Sequence, residues 1–425
     1  MIKEYRTILD EMKKRILIAI CTLFCLASCQ VEELPEESTA RADMTVCAYL
    51  VADNNLDGFL LTNVETMVKG LVQMTEEAHL LVYWDGYSSI QAQDGPVLLS
   101  FRTDGHGTVN GSPVTDLSGQ DEILQLGRIV KTYPEQNSAT LTVMGQVVED
   151  MAGMVDTERI GFIAGSHGSA WTGSIYGHPT RSFGQDGTGT DNTITVEDMA
   201  AALAHSGRKF DFIILDACMM GTAEVCYDMK DVTDWLLVSA VDIPAAGLPY
   251  QDIMGDLYKG TEDGYVLAAE KYIAYYELLK AEGNRVWGTM SVVDCREMDA
   301  LAVAVKEQLA VHEEDILSMY VGSLQQYGLN PYAKGFIHVS VDMAEAIRYV
   351  NGGTLPEDFS AQLDRIIRYA GYVENTDDFH IDGDNYCGLG MYIPVPDRPM
   401  WNSFFKRTAW YKAAGWDGID FPWDE

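Results

Sequence analysis

Two short segments of this chain put nucleophile chemistry at the ends of apolar runs. Residues 160–164 are apolar and lead into Gly165-Ser166-His167-Gly168, and residues 210–215, FDFIIL, lead into Asp216-Ala217-Cys218. A thiol becomes a strong nucleophile when a base or an imidazolium stands beside it, so a Cys and a His brought to one place form a dyad for acyl transfer. Gly168 leaves room for a substrate and offers a backbone N–H. The Cys218 N–H, expected at the start of a following helix, offers a second, and two such donors can hold an oxyanion. Singly, each residue has a plainer reading. A Cys after a buried strand is more often a small core residue, and His-Gly is a common loop. Together they point to chemistry, because ligands of open parallel sheets bind beyond the carboxyl ends of strands. The pair meets only if the two strands are neighbours.

The elements that must position them read as follows. Apolar runs over residues 44–51, 78–84, 160–164, 210–215 and 236–241 suit buried parallel strands, with a weaker strand over 97–102. Helical spacing covers 56–72, 140–151, 195–205 and 219–229. Thr195 is the expected N-cap of the third of these, with Asp198 near its positive end. Strands alternating with helices predict an α/β sandwich around a mostly parallel sheet. Beyond Tyr250 the pattern loosens. Helices are expected over 263–279 and 296–312, strands over 288–294, 335–341 and 388–394, and an aromatic-rich closing segment over 401–414. The expected division is a signal at 1–29, a tether at 30–43, a catalytic core at 44–255, and a C-terminal part at 256–425 that completes or flanks the core as an extension or small second domain.

Bulk composition narrows the function. Apolar residues make up 47% and charged residues 22%, an ordinary globular mixture. The net charge of -35 repels phosphate backbones, which argues against a nucleic-acid partner. Lys13-Lys14-Arg15 followed by an apolar run to Ala27 is a signal-peptide pattern, too short to span a bilayer comfortably. It ends in Leu26-Ala27-Ser28-Cys29, which looks like a bacterial lipobox and would leave Cys29 lipidated. The tether after it is acidic and rich in Pro and Ser. Cys47, Cys218, Cys226, Cys295 and Cys387 remain beyond the signal. Five is odd and no CxxC pair occurs, so at least one thiol is free.

The segment GSHGSAW (165–171) is similar to the His-Gly-x-Gly-Trp block of the clostripain-like cysteine peptidases, and ILDACMMGTAEV (214–225) to their Asp-x-Cys-Leu-Met block. YLVADNNL (49–56), GLPY (247–250) and GLGMYIPVP (388–396) resemble further blocks of that family. The resemblance runs from about Met44 to the end. It implies a caspase-like α/β/α sandwich, related also to gingipain and legumain, with Cys218 as nucleophile, His167 as acid/base and an acyl-enzyme. It implies thiol and imidazole that are often apart before substrate binds, and no cofactor for the chemistry. It also places an acid at Asp216 in the S1 pocket, where it would pair with Arg or Lys; the other reading of Asp216 is an N-cap. Asp242 is a second pocket candidate. Leu248 stands where a tryptophan is usual, and Ser169-Ala170 where a second glycine is, so the pocket shape departs from the family pattern.

Self-cleavage after Arg181 is the activation step that the resemblance suggests, with an ordinary surface loop as the plain alternative. Calcium, required by some relatives, has room near Asp186 and Asp191, and Asp382–Asn385 is a turn or a weaker calcium loop. These readings describe a monomeric endopeptidase acting on proteins or peptides, exported and lipid-anchored on the periplasmic or outer side of the bacterial outer membrane. The competing readings are a non-catalytic surface lipoprotein that binds protein or glycan, and a hydrolase with paired carboxylates.

Overall fold

The computed structural model describes residues 41–93, 95–114, 119–172, 174–175, 178–179, 183–187, 192–329, 337–374 and 380–423. Cys29, Arg181 and Asp191 lie outside the described residues, and so does the signal.

Sixteen strands are described. In chain order they are β1 (Arg41–Ala52), β2 (Glu77–Gly86), β3 (Val97–Asp104), β4 (Thr108–Val109), β5 (Ser112–Pro113), β6 (Arg128–Thr132), β7 (Arg159–Gly165), β8 (Ser174–Ile175), β9 (His178–Pro179), β10 (Phe210–Asp216), β11 (Thr233–Val238), β12 (Gly288–Asp294), β13 (Gln326–Leu329), β14 (Ile337–Asp342), β15 (Ile367–Val373) and β16 (Gly390–Met391). Eleven form one sheet in the order β15-β12-β11-β10-β7-β1-β2-β3-β4-β5, with β6 also on β3. Its five central strands, β11-β10-β7-β1-β2, are all parallel. Antiparallel β3 flanks them on one side and antiparallel β12 and β15 on the other.

The alternation of side chains along a strand explains the layers. Cys47, Tyr49 and Val51 face one apolar layer, while Val46, Ala48 and Leu50 face the other. The first layer holds helices Leu141–Ala152, Val196–Leu203, Ala223–Met229 and Met298–Val311, together with the C-terminal aromatic cluster around Trp171, Tyr392, Trp401 and Phe405. The second holds helices Asp57–Val72, Tyr250–Tyr258 and Glu262–Ala281. Because both faces are covered, the central strands read as continuous apolar runs, which is why the sequence shows them so plainly.

Several details differ from the sequence expectation. The helix expected over 219–229 begins only at Ala223, with Thr222 as its N-cap. The backbone N–H groups of Met219 and Gly221 are taken by Val241 and Ser239 carbonyls, so the turn after β10 is tied to the neighbouring segment before a helix can start. The last strand shrinks from seven residues to Gly390–Met391. β15 and helix Tyr250–Tyr258 were not anticipated, although the apolar Tyr250, Ile253, Met254, Leu257 and Tyr258 of that helix recur at helical spacing. β14, β13 and β16 form a separate three-stranded sheet that touches the main body through Gly390 N–H, which donates to Gly221 O. No helix among the described residues is long and apolar enough to cross a membrane.

Candidate active site

The sheet order answers the condition set by the sequence. β7 and β10 are adjacent and parallel, with Asp216 opposite Gly165, so their carboxyl ends deliver His167 and Cys218 to the same edge. The two loops touch through Gly168: a Cβ there would lie 2.5 Å from the Cys218 carbonyl oxygen and 2.9 Å from its nitrogen. Only a glycine permits that approach. The backbone N–H groups of Gly168 and Cys218 have no acceptor among the described residues. Contrary to the sequence expectation, Cys218 is not at a helix start; the helix N-terminus lies at Thr222, so no helix dipole acts on the thiol directly.

The thiol and the imidazole make no hydrogen bond to one another. Cys218 Sγ points to Ile243 O at 3.8 Å. Burial pushes its ionisation well up, and the Asp242 carboxylate beside it pushes further, so the group rests as a neutral thiol. His167 Nε2 lies 2.6 Å from Asn55 Oδ1. Burial lowers the imidazole below its usual range, so it rests neutral too.

Asp216 is buried, at 6% exposure, on the face of β10 opposite Leu215. Tyr250 Oη donates to its Oδ2 at 2.8 Å and Asn63 Nδ2 at 3.3 Å. Burial raises the carboxyl to about 6, against the lowering effect of the Tyr250 hydroxyl and the Leu248 N–H. The N-cap reading of Asp216 is excluded, since Thr222 Oγ1 accepts from Val225 N–H and fills that role. Gly247, at φ 67°, brings its backbone so close that a Cβ would sit 2.9 Å from Asp216 Oδ2. The acid is thus walled by the segment Gly247–Tyr250, by Asn63 and by the Tyr276 hydroxyl, which donates to Gly247 O at 2.7 Å.

Asn55, Asn63 and Tyr250 were not among the site residues expected from sequence. Asn63 had one signal, a polar residue on the apolar face of its helix between Leu60, Val64 and Met67. Asn55 and Tyr250 stood in the quoted ADNN and GLPY segments without an assigned partner.

Asp186 has its Oδ2 on Ser138 N–H, and its carboxylate lies with those of Asp53 and Glu135 in a group whose oxygens are all within 4.8 Å of one another. Such a trio has the hard oxygen donors that calcium takes. Asp85, bonded to Ser138 Oγ, is pushed to about 8 by burial and by its acidic neighbours. Cys47, Cys218, Cys226, Cys295 and Cys387 are all free thiols; of these Cys218 and Cys387 are the two that are not fully buried.

An α/β/α sandwich with a thiol and an imidazole on adjacent strand ends defines a protein of the caspase-like cysteine-peptidase kind. The clostripain family model matches residues 48–352, and the chain belongs to that family. It is accordingly a cysteine-type endopeptidase, and its chemistry needs no cofactor. Solved structures agree. The inactive zymogen of a C11 protease from Parabacteroides distasonis is 25% identical, with a TM-score of 0.68 over 88% of this chain and 99% of that one. A secreted C11 cysteine protease from Bacteroides thetaiotaomicron, in complex with an irreversible peptide inhibitor, is 22% identical with a TM-score of 0.69 over the same shares, 88% and 99%. Another structure of a secreted C11 cysteine protease from that organism, iotapain, is 20% identical with a TM-score of 0.67, again over 88% and 99%. The last two bear on the fold alone. No curated protein matches the chain.

Proposed function

We propose that this peptidase cleaves after Arg or Lys, with Cys218 as nucleophile and His167 as acid/base. The observation that carries the reading is the adjacency of β7 and β10, which joins the His167 and Cys218 loops through Gly168. Cys218 Sγ attacks the scissile carbonyl carbon and forms the C–S bond as its proton passes to the free ring nitrogen of His167 and the carbonyl oxygen becomes an oxyanion. His167 supplies a proton to the amine nitrogen as the C–N bond breaks. Water then adds to the thioester as one of its protons passes to His167; the C–S bond breaks, the acid product departs, and His167 returns that proton to the Cys218 thiolate. The unused N–H groups of Gly168 and Cys218 support the oxyanion role. Asp216 binds the basic P1 side chain. The donors to its carboxylate among the described residues, Tyr250 Oη, Asn63 Nδ2 and the Leu248 N–H, are all neutral, so a guanidinium or ammonium would supply the opposite charge. Asp242 contributes a second negative charge beside the thiol.

The processing steps belong to the same reading. Cleavage after Arg181 activates the chain, in keeping with the zymogen state named for the relative from Parabacteroides distasonis. Lipidation at Cys29 anchors a monomer to the outer membrane through the 30–43 tether, and residues 256–425 complete the 44–255 core. Calcium, where it acts, binds through Asp53, Glu135 and Asp186.

The test uses the soluble chain from Gln30 with fluorogenic peptides carrying Arg, Lys, Asp, Asn or Ala at P1, with calcium or chelator. Cleavage confined to Arg and Lys, absent in Cys218→Ala and His167→Ala and joined by a cut at Arg181 on a gel, is the expected result. Turnover that survives Cys218→Ala would overturn the nucleophile, and preference for a neutral P1 would overturn the pocket.

A further inference from the structure

We infer that Asn55 is a positioning residue for His167, and that the segment Phe183–Gly187 holds it in place. The inference rests on the reading of His167 as the acid/base. Its Nε2 lies 2.6 Å from Asn55 Oδ1. A neutral imidazole carries one N–H, and the side-chain carbonyl of Asn55 accepts only, so the proton sits on Nε2 and the Nδ1 lone pair remains to exchange a proton at the site.

Asn55 is itself exposed, but the turn that presents it is not loose. Asn54, buried beside it, donates from Nδ2 to Val51 O at 2.9 Å and to Gln185 O at 2.7 Å, and accepts from Leu56 N–H at 2.8 Å. Gly187 N–H donates to Asp53 O at 2.7 Å. The same segment also grips the other partner: Gly184 N–H donates to His167 O at 3.0 Å, and Phe183 bridges to Gly168 and to Ile194. Ser166 Oγ donates to Val51 O at 2.7 Å and ties the His167 loop to the end of β1. One segment therefore holds both ends of the Asn55–His167 bond. A side-chain amide so held fixes the ring tautomer and orientation, which a general acid needs.

The experiment compares Asn55→Ala and Asn55→Asp with the parent chain on its best peptide substrate, with His167→Ala and Cys218→Ala as controls. Asn55→Ala should lower kcat about tenfold to a hundredfold with KM within about twofold, since loss of orientation acts on the chemical step. Asn55→Asp should recover part of the rate. Its carboxylate would raise the imidazole, so the acid limb of kcat/KM should move up by about one pH unit. A purely structural role would not move that limb. If both Asn55 variants match the parent in rate and pH profile while His167→Ala is dead, the positioning role is overturned and the dyad stands. If Asn55→Ala is faster than the parent, the bond holds the imidazole out of action and the inference is reversed. Activity retained by His167→Ala would remove the reading on which the inference rests.

Discussion

At the scale of residues, the resting site is electrically quiet. The thiol keeps its proton because burial and Asp242 both oppose a second negative charge. The imidazole is neutral because burial opposes a positive one. Two predictions follow from the acids. Asp242→Asn removes a charge beside Sγ, so Cys218 should be alkylated about tenfold faster by iodoacetamide at neutral pH, roughly one pKa unit of relief; an unchanged rate would show that Asp242 does not act on the thiol. Asp216 titrates near 6, so its charge is present above that pH and lost below it. KM for an Arg substrate should therefore rise several-fold between about pH 7 and about pH 5, while KM for an Ala substrate stays flat. Asp216→Asn should weaken Arg binding and abolish this pH dependence, which steady-state kinetics across that range would record.

At the scale of elements, close backbone approach and capping decide what each segment can do. Gly168 rests against the Cys218 backbone, so Gly168→Ala should push the two loops apart and lower kcat/KM by at least about tenfold, with a stability cost of about 1–3 kcal/mol for the overpacked contact; kinetics and urea unfolding separate the two effects. Thr195 Oγ1 accepts from Asp198 N–H at 3.0 Å, so Thr195→Ala should cost about 1 kcal/mol in the same unfolding assay and leave the pH profile unchanged. This cap was legible in the sequence because it is local: Thr, then an acid three residues on. The helix after Cys218 was not, because residues 219–229 read as helical throughout while the N–H groups of Met219 and Gly221 are claimed by residues 239–241, which are distant in sequence. The short final strand failed for a related reason. GLGMYIP is apolar enough for a strand, but Tyr392 N–H is taken by buried Glu224 and the ring by the aromatic cluster, so pairing stops at Met391.

At the scale of the whole molecule, the main sheet is finished by residues beyond position 255. β12 pairs with β11 and β15 with β12, while helix Glu262–Ala281 covers the second apolar layer. A fragment spanning 41–255 would expose the edge of β11 and the ring faces of Phe212 and Trp235 that Tyr265 covers. It should show no cooperative unfolding transition and should aggregate, whereas the chain spanning 41–425 should unfold cooperatively; calorimetry and light scattering distinguish these outcomes.

The sequence by itself determined the buried parallel strands, the Thr195 cap, the two polar strand ends and the acid two residues before the thiol. These are short-range signals, carried by apolar runs, turn residues and period. Tertiary structure alone decided that β7 and β10 are neighbours, that Asn63 and Tyr250 close around Asp216, and that Asn55 meets His167 across 112 positions. Such contacts depend on strand order and on loops from distant parts of the chain arriving at one edge, and a pattern of nearby residues carries no record of that.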